Sequence, residues 1–152
     1  MRSASIIIPT RERLGYLEVA LASIAPQAGD AGAEVLVIDD AGASPAARAL
    51  AERFGARYEP HRGPLGLNAA RNTGVERSSG ELVMFVDDDI RASAGWLRAL
   101  IDAAQEHPQD VFTGPIKDQA GEVKVPAGKT LTDPELQRIN WYVDGVDGAL
   151  PK

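Results

Sequence analysis

Short runs of apolar residues alternate with stretches of helical periodicity over most of the chain. The runs at Ser5–Pro9, Glu34–Ile38 and Leu82–Val86 are each followed by proline, aspartate or turn-forming residues. Runs of this kind are typical of strands that are buried on both faces of a sheet. Because helical segments separate them, the pattern predicts an α/β fold: a mostly parallel sheet with helices on both faces.

The helical segments can be placed from leucine spacing and from capping residues. A first helix is predicted from Leu14 to about Pro26, and Ser44 with Pro45 predicts the N-cap and first residue of a second one. Further helices are predicted over residues 67–77 and 96–104, and further strands at Ala56–Glu59 and Asp110–Ile116. The 152 residues suit one α/β domain, predicted over residues 1–116. The remaining residues, 117–152, are expected to begin a second region that is incomplete.

Acidic residues follow two of the predicted strands. Asp39 and Asp40 follow the second strand, and Asp87, Asp88 and Asp89 follow the run at 82–86. Ligands of open α/β sheets bind at the carboxyl ends of the strands, where both clusters are predicted to lie.

Adjacent carboxylates repel one another, and no lysine or arginine lies within the Asp87–Asp89 motif. Mg²⁺ or Mn²⁺, which prefers one or two carboxylates plus phosphate oxygens, would relieve that repulsion. If the strand stays extended, Asp87 and Asp89 face the same side and can share the cation. The alternative is a solvated loop in which Asp88 or Asp89 caps the next helix.

Other polar residues are expected at the same edge of the sheet. Thr10 and Arg11 follow the first strand, and the guanidinium of Arg71 suits a base carbonyl or a phosphate. The alternative for Arg71 is an exposed helix face. His61 and His107 show no spacing typical of metal ligands, so both are interpreted as surface residues.

Four segments together resemble the family 2 glycosyltransferases of GT-A fold, over about residues 3–115. The segments are Ser5–Thr10 (SIIIPT), Val37–Asp40 (VIDD), Ala70–Gly74 (ARNTG) and Gly80–Asp89 (GELVMFVDDD). Residues 1–116 would then be the nucleotide-sugar-binding part of such an enzyme. The resemblance implies the following site residues: Pro9, Thr10, Asp39 and Asp40 on the nucleoside, Arg71 on the nucleotide, Asp87 and Asp89 on the metal, and Asp88 on the ribose or metal.

The resemblance also implies an activity and partners. The expected reaction moves a sugar from a nucleotide-diphosphate sugar to a hydroxyl of a saccharide, lipid or other acceptor, with inversion and with Mn²⁺ or Mg²⁺. The catalytic base is unknown, because none of the carboxylates after residue 130 can be matched to it; these are Asp133, Glu135, Asp144 and Asp147. The alternative is a catalytically silent module that binds nucleotide sugars. A homodimer is also expected, through the surface that a missing second region would leave exposed.

Other classes of protein fit less well. A receiver domain would have its aspartate pair after the first strand, and a sugar nucleotidyltransferase would have a glycine-rich loop where this chain has Pro9–Arg13. The net charge of −6 argues against nucleic acid as a partner. The apolar run Ile6–Ile8 is too short for the core of a signal peptide. We therefore expect a cytoplasmic location, with the inner face of a membrane as the alternative.

Overall fold

The computed structural model describes residues 3–108, 110–112, 116–117 and 123–125. Their elements follow one another along the chain as β1 Ala4–Thr10, α1 Leu14–Ala31, β2 Glu34–Asp39, α2 Pro45–Arg53, β3 Arg57–Pro60, α3 Leu67–Arg77, β4 Leu82–Phe85, α4 Trp96–Glu106, β5 Ile116–Lys117 and β6 Val123–Val125. Strands β1 to β4 form one sheet, and β5 pairs with β6 in an antiparallel ribbon.

The four-stranded sheet is parallel throughout, in the order β3-β2-β1-β4. Strand β1 therefore lies between β2 and β4, and Thr10 at its end is in register with Asp39. After β3 the chain returns to the other side of β1, so the direction of winding reverses at β1. In such sheets this reversal opens a crevice at the carboxyl ends of the strands. The predicted α/β fold is confirmed.

Helices cover both faces of the sheet. Ile6 and Ile8 of β1 point into a core formed with α1, α2 and α4, while Ile7 points to the opposite face, where it packs with Ala70 of α3. Helix α3 approaches β1 so closely that a Cβ on Gly74 would lie 2.3 Å from Cγ2 of Ile7. The glycine of the ARNTG segment therefore fixes how closely α3 packs on the sheet.

Helix α1 is longer than predicted, because it continues through Pro26 to Ala31. Pro26 has no N–H to donate, which is why a helix end was expected there. The last turn is stabilised by the burial of Ala28 and by Gly32, whose left-handed φ of 64° lets its N–H reach the carbonyls of Ala28 and Gly29. These contacts lie two and six residues after Pro26, and with them the helix continues past the hydrogen bond that the proline cannot make.

The predicted fifth strand at Asp110–Ile116 is only partly described. Asp110, Val111 and Phe112 are not in a strand, and Ile116 begins the short ribbon with β6. Ser44 does cap α2, since its Oγ accepts from the N–H of Ala47 at 3.2 Å. The boundary between residues 116 and 117 stays a prediction, and most of residues 117–152 lie outside the described part.

Candidate nucleotide-binding cleft

An open cleft of about 270 Å³ lies at the carboxyl ends of β1 and β4. It is the crevice that the reversal of the sheet at β1 creates. Most of the residues predicted to bind the nucleotide or the metal line it, although Asp39 and Arg71 do not. Four residues that were not predicted also line it: Arg13, Gly66, Leu67 and Ala70. The predicted residues in its wall are Pro9, Thr10, Arg11, Asp40, Asp87, Asp88 and Asp89.

Thr10 and Asp88 join the two strands across the cleft. The hydroxyl of Thr10 donates to Oδ2 of Asp88 over 2.7 Å, and both residues are buried. Burial raises the pKa of Asp88 above its ordinary value, although the hydrogen bond from Thr10 and the charge of Arg13 act to lower it. Asp88 is therefore held by two side chains of the protein, Thr10 and Arg13.

Arg13 supplies positive charge that the motif itself lacks. Its guanidinium donates to Oδ1 of Asp88 and to Oδ2 of Asp89, each over 3.1 Å, although its side chain remains 42% exposed. The motif contains no lysine or arginine, as its sequence shows, and the compensating charge comes from a residue after β1. The Asp87–Asp89 motif by itself does not indicate this contact, because Arg13 is 75 residues away from Asp88 along the chain.

Arg71 reaches the same cluster from α3. Its guanidinium lies 3.3 Å from Oδ1 of Asp87, and both side chains are about one-fifth exposed. Strand β4 ends at Phe85, and Asp88 and Asp89 form a turn. The extended geometry that would have aligned Asp87 with Asp89 therefore does not persist, and the two carboxylates contact different arginines.

Asp39 is directed into the protein rather than into the cleft. Its Oδ2 accepts from the hydroxyl of Tyr58 at 2.6 Å and its Oδ1 from the N–H of Ala41 at 3.0 Å. The side chain is almost fully buried. In this arrangement Asp39 shapes the turn after β2 and does not line the cleft.

Asp40 forms part of the cleft wall and organises the loop before α3. It accepts from the N–H groups of Leu65 and Gly66, over 2.8 and 2.9 Å, and from Nδ1 of His61 over 2.8 Å. Burial opposes ionisation, but these hydrogen bonds outweigh it and lower the pKa of Asp40. The interpretation of His61 as a surface residue is wrong, since it is 9% exposed; His107 is exposed as expected.

The side chains of the cleft can supply part of the coordination of a divalent cation. Within the described ranges no group of three or more histidine, aspartate or glutamate side chains is arranged to hold a metal by itself. Asp87 and Asp89 offer carboxylate oxygens on the cleft wall, which are ligands that Mg²⁺ and Mn²⁺ accept. Waters or phosphate oxygens would supply the remaining ligands, and Arg13 would have to give way.

A family model described as glycosyl transferase family 2 matches residues 5–142 of this chain. The chain belongs to glycosyl transferase family 2. The predicted resemblance is thereby confirmed, and the segments on which it rested form the centre of the sheet and the cleft.

Two curated proteins illustrate how much of a relative the chain spans. It is 29% identical over 158 aligned positions to the GalNAc(5)-diNAcBac-PP-undecaprenol beta-1,3-glucosyltransferase of Campylobacter jejuni, covering 97% of this chain and 50% of that protein. A shorter match, 40% over 65 residues, is to purine-binding protein BAB2_0673 of Brucella abortus, covering 43% of this chain and 18% of that protein. The chain thus spans half or less of these relatives.

Solved structures share the fold. TarS residues 1–349 of S. aureus in complex with UDP-GlcNAc gives a TM-score of 0.63 at 21% identity, over 77% of this chain and 40% of that one. The mannosyltransferase PcManGT of Pyrobaculum calidifontis, in complex with GDP-Man and Mn²⁺, gives a TM-score of 0.59 at 21% identity, over 76% of this chain and 35% of that one.

Among the residues that our structure describes, no helix is both long and apolar enough to cross a bilayer.

Proposed function

We propose that the cleft binds a nucleotide-diphosphate sugar, and that the whole protein transfers the sugar to an acceptor hydroxyl with inversion. The observation that carries this proposal is the meeting of Asp87, Asp88 and Asp89 with Arg13 and Arg71 at the reversal point of the sheet. A diphosphate needs positive charge; Arg11 and Arg13 line the cleft, and the guanidinium of Arg71 lies beside Asp87. A ribose and a base need polar groups at the strand ends, which Thr10 and Asp40 place there.

Each part of the cleft has a proposed role. Pro9, Thr10 and Arg11 border the nucleoside, with Asp40 behind them and Asp39 supporting the turn. Arg71 contacts the nucleotide, for which it must loosen its bond to Asp87. Asp88, held by Thr10, faces the ribose or the metal. These roles follow from position in the cleft and from the donors and acceptors that each side chain offers.

A divalent cation would be held by Asp87 and Asp89 together with the diphosphate. When bound, Mn²⁺ or Mg²⁺ neutralises the charge that develops on the departing nucleoside diphosphate. Arg13, once the cation has displaced it from the carboxylates, and Arg71 would add positive charge beside the diphosphate. The general base that deprotonates the acceptor hydroxyl is proposed to be a carboxylate. The four carboxylates considered for that role, from Asp133 onwards, lie outside the described residues.

Related proteins support the donor, the metal and the acceptor that are proposed for this protein. TarS has been solved with UDP-GlcNAc, and PcManGT with GDP-Man and Mn²⁺. The Campylobacter relative is named as an enzyme that acts on an undecaprenol-linked saccharide. By extension, the acceptor of this protein is proposed to be a saccharide or a lipid-linked saccharide, which would place it at the inner face of a membrane.

Calorimetry with UDP, GDP and dTDP, in Mn²⁺ and then in EDTA, tests the donor site. We expect binding in Mn²⁺ that weakens strongly in EDTA, and we expect Asp89→Asn to remove the metal-dependent part. Asp102→Asn, on the exposed side of α4, is the matched control and should bind like the wild type. Equal affinity with and without metal would refute the metal role, and no binding of any nucleotide would refute the donor site.

The silent binding module remains the second proposal, because the chain spans half or less of its named relatives. Transfer of radiolabelled sugar from UDP and GDP donors to a panel of saccharide and lipid-linked acceptors separates the two. Donor binding without turnover favours the module, and robust turnover places the base within this chain. The expected homodimer is checked on the same sample by light scattering.

A further inference from the structure

The loop between β3 and α3 forms one side of the cleft, and the carboxylate of Asp40 binds its backbone. Gly66 and Leu67 line the cleft, and the N–H groups of Leu65 and Gly66 both donate to the carboxylate of Asp40. Gly66 has a φ of +99°, which side chains with a Cβ rarely adopt, and α3 begins at the next residue. The position of α3 therefore depends on how Asp40 is held.

His61 holds Asp40 and α3 at the same time. Its Nδ1 lies 2.8 Å from Oδ1 of Asp40, and its Nε2 lies 2.9 Å from Oγ1 of Thr73 in α3. Its own backbone N–H donates to the carbonyl of Asp39 over 2.8 Å, which fixes the residue to the end of β2. Since an ionised Asp40 can only accept, Nδ1 donates, and a neutral imidazole then accepts from Thr73 through Nε2.

Buried polar groups of this kind are costly to leave without partners. His61 is 9% exposed and Asp40 5% exposed, so water cannot readily replace a lost bond. His61 itself is absent from the cleft wall, whereas the groups that it holds contribute to that wall. It is therefore placed to act on ligand binding through other residues.

We propose that His61 is a positioning residue for donor binding, which clamps β2 to α3 through Asp40 and Thr73 and so fixes the loop and Arg71 at the cleft. The proposal rests on the proposed donor site. Arg71 lies in α3 between Gly66 and Thr73, the two points at which the clamp holds the helix, and its bond to Asp87 spans 3.3 Å.

Two substitutions separate the bonds of the clamp. The amide nitrogen of His61→Asn occupies about the place of Nδ1, so it can keep the bond to Asp40 and loses Thr73. The amide nitrogen of His61→Gln occupies about the place of Nε2, so it can reach Thr73 and loses Asp40. Two controls are matched to them: His107→Gln changes an exposed histidine, and Leu50→Ala weakens the core on the other face of the sheet.

The readouts are the amide proton shifts of Leu65 and Gly66 by NMR, the affinity for UDP and GDP in Mn²⁺, and the unfolding midpoint. We expect His61→Gln to move both amide signals and to weaken nucleotide binding about tenfold, the loss expected from one buried hydrogen bond to a charged group. His61→Asn should keep the amide signals and bind within about threefold of the wild type. His107→Gln should match the wild type in all three.

Leu50→Ala separates positioning from general loss of stability. The proposal is overturned if Leu50→Ala lowers the unfolding midpoint as much as His61→Gln does and also weakens nucleotide binding as much. It is also overturned if His61→Gln leaves both nucleotide binding and the two amide signals unchanged. If the wild type binds no nucleoside diphosphate, the proposed function fails instead, and the amide signals alone decide whether His61 sets the loop.

Discussion

Thr10 donates a hydrogen bond to Asp88 over 2.7 Å, from the end of β1 to the turn after β4. The two residues are 78 positions apart in sequence, yet their strands are neighbours in the sheet. The bond closes the base of the cleft, because both side chains are buried there. Whatever binds in the cleft meets a motif whose middle carboxylate is already fixed in place.

Replacing Thr10 tests that bond directly. Thr10→Val keeps the shape of the side chain and removes the donor, so a buried carboxylate loses a partner. We expect the free energy of unfolding to fall by about 1–3 kcal/mol, and nucleotide affinity to fall with it. Thr10→Ser keeps the hydroxyl and should lose less than about 1 kcal/mol. Urea denaturation measures both, and equal losses in the two variants would show that the hydroxyl is unimportant.

Arg13 and a divalent cation should compete for the same carboxylates. Arg13→Gln removes one positive charge beside Asp88 and Asp89, so Mn²⁺ should bind more tightly in the absence of nucleotide. Since the side chain is 42% exposed and solvent screens its charge, we expect a gain of only about two- to fivefold. Electron paramagnetic resonance of free Mn²⁺ measures this.

The control for that experiment is Arg98→Gln, which removes the same charge from the exposed face of α4. It should leave Mn²⁺ affinity unchanged. Raising the salt concentration should shrink the difference between wild type and Arg13→Gln, because exposed charges are screened. Weaker binding of Mn²⁺ by Arg13→Gln would contradict the competition.

Glu34 should control stability in acid at the opposite end of the sheet. Burial acts to raise its pKa, but hydrogen bonds from Ser5, Ser79 and Arg57 outweigh it and lower the pKa from 4.5 to about 2. A lowered pKa in the folded state stabilises the protein above pH 4.5, and that stability is lost as the pH falls from 4.5 towards 2. We expect a loss of about 1–3 kcal/mol over this window.

Glu34→Gln should flatten this acid dependence, since the group no longer titrates. The free energy of unfolding, measured in urea between pH 7 and pH 3, should be lower than that of the wild type at pH 7 and approach it in acid. Glu76→Gln, at an exposed position on α3, is the matched control and should keep the wild-type slope. An unchanged slope in Glu34→Gln would disprove the assignment.

The hydroxyl of Tyr58 should lose its proton at a higher pH than that of an ordinary tyrosine, and its hydrogen bond should stabilise Asp39. Burial and its hydrogen bond to Asp39 raise the pKa of Tyr58 to about 12. Its contribution to stability is therefore present below pH 10 and lost as the pH rises through 12. Tyr58→Phe leaves Asp39 and the N–H of Ser44 each short of one partner, at a cost of about 1–3 kcal/mol. The difference between the ultraviolet titrations of wild type and variant should show one tyrosine ionising near pH 12, not near pH 10.

Local sequence pattern was enough for most of the elements. The start of α2 was predicted because Ser44 and Pro45 act within one turn, and α3 was predicted because its ends carry turn residues. The end of α1 at Ala31 was not predicted. The helix continues past Pro26 with contacts of Ala28 and Gly32 that depend on the folded chain. The ends of β1, β2 and β4 were correct to within one residue, since apolar runs mark them directly.

The site was predictable in position but not in its internal contacts. Thr10 and Asp88 were both expected at the sheet edge, yet nothing local shows that they bond. Arg13 follows Thr10 by three residues, which was a usable signal that it also lies near the edge. The burial of His61 had no local signal, because it follows from the way that α3 folds back over the end of β2.

The close approach of Gly74 to Ile7 has a consequence for how such clefts diverge. A larger residue at position 74 would have to displace the side chain at position 7 or lift α3 from β1, and lifting would carry Arg71 away from Asp87. Among homologous chains we expect positions 7 and 74 to vary together, so that a larger side chain at one position accompanies a smaller one at the other. Substitutions at this pair would then move Arg71 relative to Asp87 without changing any residue of the cleft wall.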